Sequence, residues 1–267
     1  MYRSHWGLRD MPFNGLVDPR FFFPSPTHEE ALARLHFLVG NHRRLGLVIG
    51  AAGCGKSLVL EVFAGQLRRS GRAVAKLNLL GLDATEMLWQ IAVDFGSNPP
   101  PSASPISLWR NLDDRLLEHH FRQLDTVILL DNAEQACRGA LPHIARLAGN
   151  DSSSGTRLTV VLTVEKSSVG DLGNRLLEMA DLRIDLEPWS QEDVEGFLTS
   201  SLARAGRKKK IFTEEAVAKL HDLSGGVARR VGQIADLALL AGAGAELTKI
   251  DAEMVHSVQQ ELGAVGV

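Results

Sequence analysis

Eight consecutive residues constrain this chain more than any others. Gly50-Ala51-Ala52-Gly53-Cys54-Gly55-Lys56-Ser57 follow a short apolar run, Leu45-Gly46-Leu47-Val48-Ile49, and open a helical pattern that continues to about residue 70. This is the spacing of a phosphate-binding loop set between a buried strand and a helix N-terminus. Its glycines let backbone amides close around a β-phosphate, and the helix end adds a favourable dipole. On this reading Gly50, Ala51, Ala52, Gly53, Cys54, Gly55 and Leu58 line a nucleotide. Lys56 reaches the β/γ-phosphates, and the Ser57 hydroxyl takes a Mg²⁺ ligand position. Cys54 stands at a variable position of the loop, where a small residue fits; a redox switch is the less favoured reading.

The rest of the chain supplies the sheet such a loop belongs to. Apolar runs at Ala73–Leu79, Thr126–Leu130, Leu158–Val164 and Leu182–Leu186 alternate with helical patterns near 84–95, 107–124 and 134–148 and a stretch ending near Ala180. With the run before the loop, that gives five strands in a mostly parallel sheet covered by helices. Thr27-His28-Glu29-Glu30 is a capping box ahead of Leu32, Leu35 and Val39. Ser97–Ser102 and Asn150–Gly155 read as loops. After Pro188-Trp189-Ser190 the strand signals stop, and four helical patterns follow at 190–206, 213–223, 227–242 and 251–263. The expected domains are 1–188, an N-terminal segment with the nucleotide-binding α/β domain, and 189–267, a helical domain. Residues 1–26 are too rich in proline and glycine for a long helix and too apolar to stay unpacked.

A second acidic element completes the expected site. Val127-Ile128-Leu129-Leu130 precede Asp131, the form of a Walker B strand whose terminal carboxylate holds Mg²⁺ through water. Asp131 is followed by Asn132-Ala133-Glu134, with asparagine where a hydrolytic nucleoside triphosphatase of this kind usually carries glutamate.

Composition sets limits on the function. Over 267 residues the chain is 45% hydrophobic and 23% charged, a globular balance. A net charge of −3 argues against a protein that coats nucleic acid. The two cysteines fit a reducing compartment, no apolar stretch reaches membrane-span length, and no secretory signal is visible, so a cytoplasmic protein is expected.

The opening run Met1-Tyr2…Gly7-Leu8…Pro12-Phe13…Asp18-Pro19-Arg20-Phe21-Phe22…His28-Glu29-Glu30-Ala31-Leu32 is similar to that of the GspA/ExeA-type AAA+ ATPases. Leu223-Ser224-Gly225-Gly226-Val227-Ala228-Arg229-Arg230 looks like the family's lid. The resemblance covers nearly the whole chain and implies a five-stranded P-loop sheet with a C-terminal helical lid, ATP with Mg²⁺, and association with general secretion or pilus assembly. It makes Thr163 a sensor-one residue and Arg229 a sensor-two arginine, although alanine replaces the proline that more often precedes it. It also places Pro12 and Phe13 near the adenine, with core packing as the alternative. An arginine finger is less clear: Met179 falls at its position, and Arg175, one turn earlier, is the substitute, with Arg183 after it.

Other signals carry less. Arg204 and Arg207-Lys208-Lys209-Lys210 read as a solvated loop more than as an anion site. His119-His120 has no partner at metal-ligand spacing, so no zinc is expected. The expected function is an ATP-driven assembly factor with slow turnover. It would self-associate on ATP binding and have a secretion or envelope partner, which recruits it to the inner face of the membrane. A DNA-associated transposition regulator or initiator-like ATPase, and a nucleotide-gated scaffold, are the alternatives.

Overall fold

The computed structural model describes residues 2–13, 18–149 and 157–265. The chain opens with helix α1 (Tyr2–Trp6), a 3₁₀ turn (Pro19–Phe21) and α2 (Pro26–Gly40). Then come β1 (Leu45–Gly50), α3 (Lys56–Arg69), β2 (Ala73–Asn78), α4 (Ala84–Asp94) and α5 (Pro105–Phe121). Strand β3 (Thr126–Asp131) leads through a 3₁₀ turn (Ala133–Gln135) to α6 (Leu141–Ala148) and β4 (Leu158–Glu165). A 3₁₀ stretch (Lys166–Leu172), α7 (Asn174–Met179) and β5 (Leu182–Leu186) follow. Four helices close the chain: α8 (Gln191–Arg204), α9 (Glu214–Ser224), α10 (Ala228–Gly244) and α11 (Ala252–Val265).

The five strands form one sheet in the order β2-β3-β4-β1-β5, and every pairing is parallel. All six residues of β1 and of β3 are buried, as expected for central strands covered on both faces. The outer strands β2 and β5 mix buried with partly exposed positions. Leu45, Leu47, Ile49, Ile128, Leu130 and Leu162 form the sheet's share of one core, joined by Met87, Ile91 and Leu112 from α4 and α5. Local chemistry marks the helix starts: Asp83 and Glu86 make a capping box on α4, Ser190 and Asp193 another on α8, and Ser104 caps α5 ahead of Pro105.

The chain folds as two compact units. One contains His28–Ala51 and Lys56–Leu186; the other contains Met1–Thr27, Ala52–Gly55 and Glu187–Val267. Residues 1–27 thus group with the C-terminal helices, not with the α/β domain to which the sequence reading assigned them. Side chains account for the difference. Trp6 is 1% exposed and donates Nε1–H to the Leu239 carbonyl at 2.8 Å, and the Tyr2 hydroxyl donates to Asp236 at 2.6 Å. Burial and that carboxylate push the Tyr2 hydroxyl well above its ordinary pKa. Leu8 and Phe13 enter the same core as Leu198, Ile211, Leu220 and Ile234.

Two helical expectations are shortened. The pattern from 134 becomes a single 3₁₀ turn before α6, because the backbone turns extended at Ala136 (φ −66°, ψ 146°). The stretch ending near Ala180 is broken at Gly173 (φ 77°), which separates the 3₁₀ residues from α7. The loop expected at Asn150–Gly155 lies outside the described residues. No described helix is long and apolar enough to cross a membrane.

Candidate functional site

Parallel strands bring their C-terminal ends to one edge of a sheet, where the loops that leave them can converge on a ligand. Here β1 ends at Gly50 and β3 at Asp131, with β4 between them. Register sets Thr163 opposite Val48, and Leu162 opposite Leu130. Gly50, Ala51, Lys56, Ser57, Asp131 and Thr163 therefore belong to one edge of the sheet unit.

Gly53 and Gly55 take φ values of 82° and 103°, conformations that other L-residues resist. α3 begins at Lys56, so the amides of its first turn, which have no acceptor inside the helix, lie at the loop. The Lys56 side chain is buried and folds back, donating from Nζ to the carbonyls of Gly50 at 2.9 Å and Ala51 at 3.0 Å. Cys54 is buried too. The loop tip, Ala52–Gly55, groups with the helical unit, and there the Arg229 amide donates to the Gly53 carbonyl at 3.0 Å. A Cβ at Gly53 would come within 2.9 Å of the Arg229 Cβ.

Asp131 is 5% exposed and accepts a short hydrogen bond from the Thr163 hydroxyl. The same hydroxyl accepts from the Asn132 amide at 2.9 Å. Thr163, itself fully buried, so links the end of β4 to the carboxylate and to the residue after it. The Asn132 side chain donates from Nδ2 to Asn78 Oδ1 at 2.9 Å, and Leu80 N–H meets that oxygen at 3.1 Å. Asn78 was not picked out from the sequence; its signal is only a polar residue at a strand's end, in register with Asp131. Glu134 lies in the following 3₁₀ turn, and its Oε2 is buried with no hydrogen-bond partner among the described residues. A serine hydroxyl and a carboxylate are oxygen donors of the kind Mg²⁺ takes.

Phe13 packs against Phe197 and Phe212 at 5.6 and 6.4 Å between ring centroids, and Pro12 is buried beside it. These are core contacts of the helical unit. Arg175 is exposed on α7. Much of the basic run is engaged within the molecule: Arg204 donates to the carbonyls of Arg20 and Phe22, Arg207 to that of Trp6, and Lys210 pairs with Glu195. Burial lowers the pKa of Arg204.

Residues 39–168 match the family described as an AAA domain. The chain carries an AAA domain. Over 245 residues it is 30% identical to the general secretion pathway protein A of Aeromonas hydrophila, which bears out the GspA/ExeA-type resemblance. That alignment takes in 90% of this chain and 45% of the relative, so the AAA protein described here spans less than half of that protein's length. Among solved structures, Cdc6p from Pyrobaculum aerophilum matches with a TM-score of 0.72 at 21% identity, over 91% of this chain and 71% of its own. Drosophila ORC bound to DNA matches at 0.74 and 18%, over 95% and 64%. The Thermotoga maritima RuvB branch migration motor matches at 0.61 and 11%, over 95% and 74%. At these identities the likeness is one of fold: an AAA-type P-loop sheet with C-terminal helices.

Proposed function

We propose that this AAA protein binds ATP with Mg²⁺, hydrolyses it slowly, and uses the cycle to assemble partners of a secretion or pilus-like envelope machine. The observation that supports this most is the edge itself. A complete phosphate loop ends β1, and a buried Asp131, held by Thr163, ends β3. Backbone amides and Lys56 would take the phosphates, which requires Lys56 to leave the Gly50 and Ala51 carbonyls. Ser57 and Asp131 would hold Mg²⁺, which when bound offsets the charge of the phosphoryl oxygens. Thr163 would keep Asp131 oriented, and Arg229 would report on the loop through Gly53.

Slow turnover follows from Asn132. Its carbonyl oxygen can orient water but cannot take the proton at neutral pH, and general-base contributions run to about 10²–10⁴-fold. Thermal stabilisation by ATP–Mg²⁺ tests the binding site: wild type should gain, and Lys56→Ala should lose most of that gain. Equal gains in both would reject the site. If wild type turns ATP over briskly and Glu134→Ala stops it with binding intact, Glu134 is the base and the Asn132 reading fails.

The AAA architecture completes its sites across subunits, so ATP should promote self-association, with Arg175 as the arginine a neighbour would offer. Light scattering with ATP and with ADP measures this; a monomer under both conditions counts against it. The 30% identity to general secretion pathway protein A supports the envelope role over a DNA-bound initiator role, and a cytoplasmic position beside the inner membrane. Salt-dependent DNA binding would favour the initiator reading.

A further inference from the structure

The N-terminal edge of the sheet, opposite the edge just described, gathers arginines. Arg43 precedes β1, Arg68 and Arg69 end α3, Arg72 precedes β2, Arg122 follows α5, and Arg157 precedes β4. Backbone hydrogen bonds bind these segments together: Thr126 N–H donates to the Arg157 carbonyl at 2.9 Å, and Ala73 N–H to that of Asp125 at 3.1 Å. The carboxylates paired with the arginines are Asp125 (Arg72 at 3.2 Å, Arg157 at 3.7 Å), Asp181 (Arg43 at 4.0 Å) and Glu118 (Arg122 at 3.4 Å). Arg68 and Arg69 project to solvent from the last turn of α3.

Large apolar side chains stand at the same ends of the helices. Phe37, in the last turn of α2, is 56% exposed, and Phe121, the last residue of α5, is 76% exposed. Leu117, one turn before Phe121, is 40% exposed. Exposed apolar groups at the same strand-start edge as exposed cations favour a binding surface over a merely solvated one.

We infer that this edge docks on a membrane surface rich in anionic phospholipid, with guanidinium groups on the headgroup phosphates and Phe37 and Phe121 entering the interface. Two observations favour lipid over nucleic acid. A stacked base needs an aromatic face, whereas the headgroup and acyl boundary accepts Leu117 as readily as phenylalanine. The chain as a whole carries −3, so a long polyanion would meet its acidic surfaces as well, while a flat headgroup layer meets this edge alone. The inference does not depend on the nucleotide reading.

Flotation of the full chain with phosphatidylcholine vesicles, with and without phosphatidylglycerol, tests it. Binding is expected only to the vesicles containing phosphatidylglycerol. Arg68→Ala with Arg69→Ala should weaken the partition roughly 30-fold, and Arg68→Lys with Arg69→Lys should retain most of it. Phe121→Ser should weaken it with charge unchanged, and all variants should melt at the wild-type temperature. Three results would overturn the inference: equal partition into neutral and anionic vesicles, no effect of Phe121→Ser, or tighter binding through these arginines to an oligonucleotide at the same ionic strength.

Discussion

Asn132 holds a left-handed backbone (φ 56°), where most side chains cost about 1–2 kcal/mol and asparagine less. Its identity thus has a cause in the turn as well as in the chemistry. Asn132→Glu is expected to speed phosphate release, by up to about 10²-fold, while losing about 1 kcal/mol of stability; steady-state hydrolysis and denaturant unfolding read the two effects separately. Thr163→Val should cost about 1–3 kcal/mol in unfolding experiments, because it strands both the Asp131 oxygen and the Asn132 amide in a buried place. Gly226 takes φ 70°, and a Cβ there would collide with the Trp189 carbonyl oxygen. Gly226→Ala should destabilise by about 2–4 kcal/mol and broaden the melt of the helical unit. The loop residues and Asp131 were legible because each motif is contiguous in sequence. Asn78 was not, because it lies 54 positions from Asn132 and only the β2–β3 register brings it there.

α5 carries a titrating group into the core of the sheet unit. His119 is buried against Phe95, with Nδ1 at 3.0 Å from the Thr126 hydroxyl, and burial lowers its pKa from the ordinary 6.5. The unfolded chain therefore takes up the proton first as pH falls. Stability should decline as pH drops below about 6.5 towards the folded-state value, and His119→Gln should remove that part of the slope. Chemical denaturation at several pH values would show it, and an unchanged slope in the variant would contradict it. Strands were the easier elements to read, since a run of four to six apolar residues bounded by polar ones has little else to become. The helical patterns at 134–148 and before Ala180 are longer in sequence than in the fold, because apolar spacing says nothing of an extended residue at Ala136 or of a glycine at φ 77°.

At the scale of the whole molecule, residues 2–13 show what composition can and cannot convey. Their aromatics announced that the segment packs, but the choice of the helical unit rests on Trp6, Tyr2 and Phe13 meeting Leu239, Asp236 and Phe197 some two hundred positions away. Trp6→Ala should cost about 3–5 kcal/mol, seen as a lower melting temperature of the helices with the sheet unit less affected. The parallel sheet has a further consequence. Every strand begins at the arginine edge and ends at the edge of the phosphate loop, about 20 Å away for a six-residue strand. Substitutions at the two edges should then combine additively, since sites so far apart share no partner side chains. A lineage could retune what one edge recognises, residue by residue, while the other edge keeps its task.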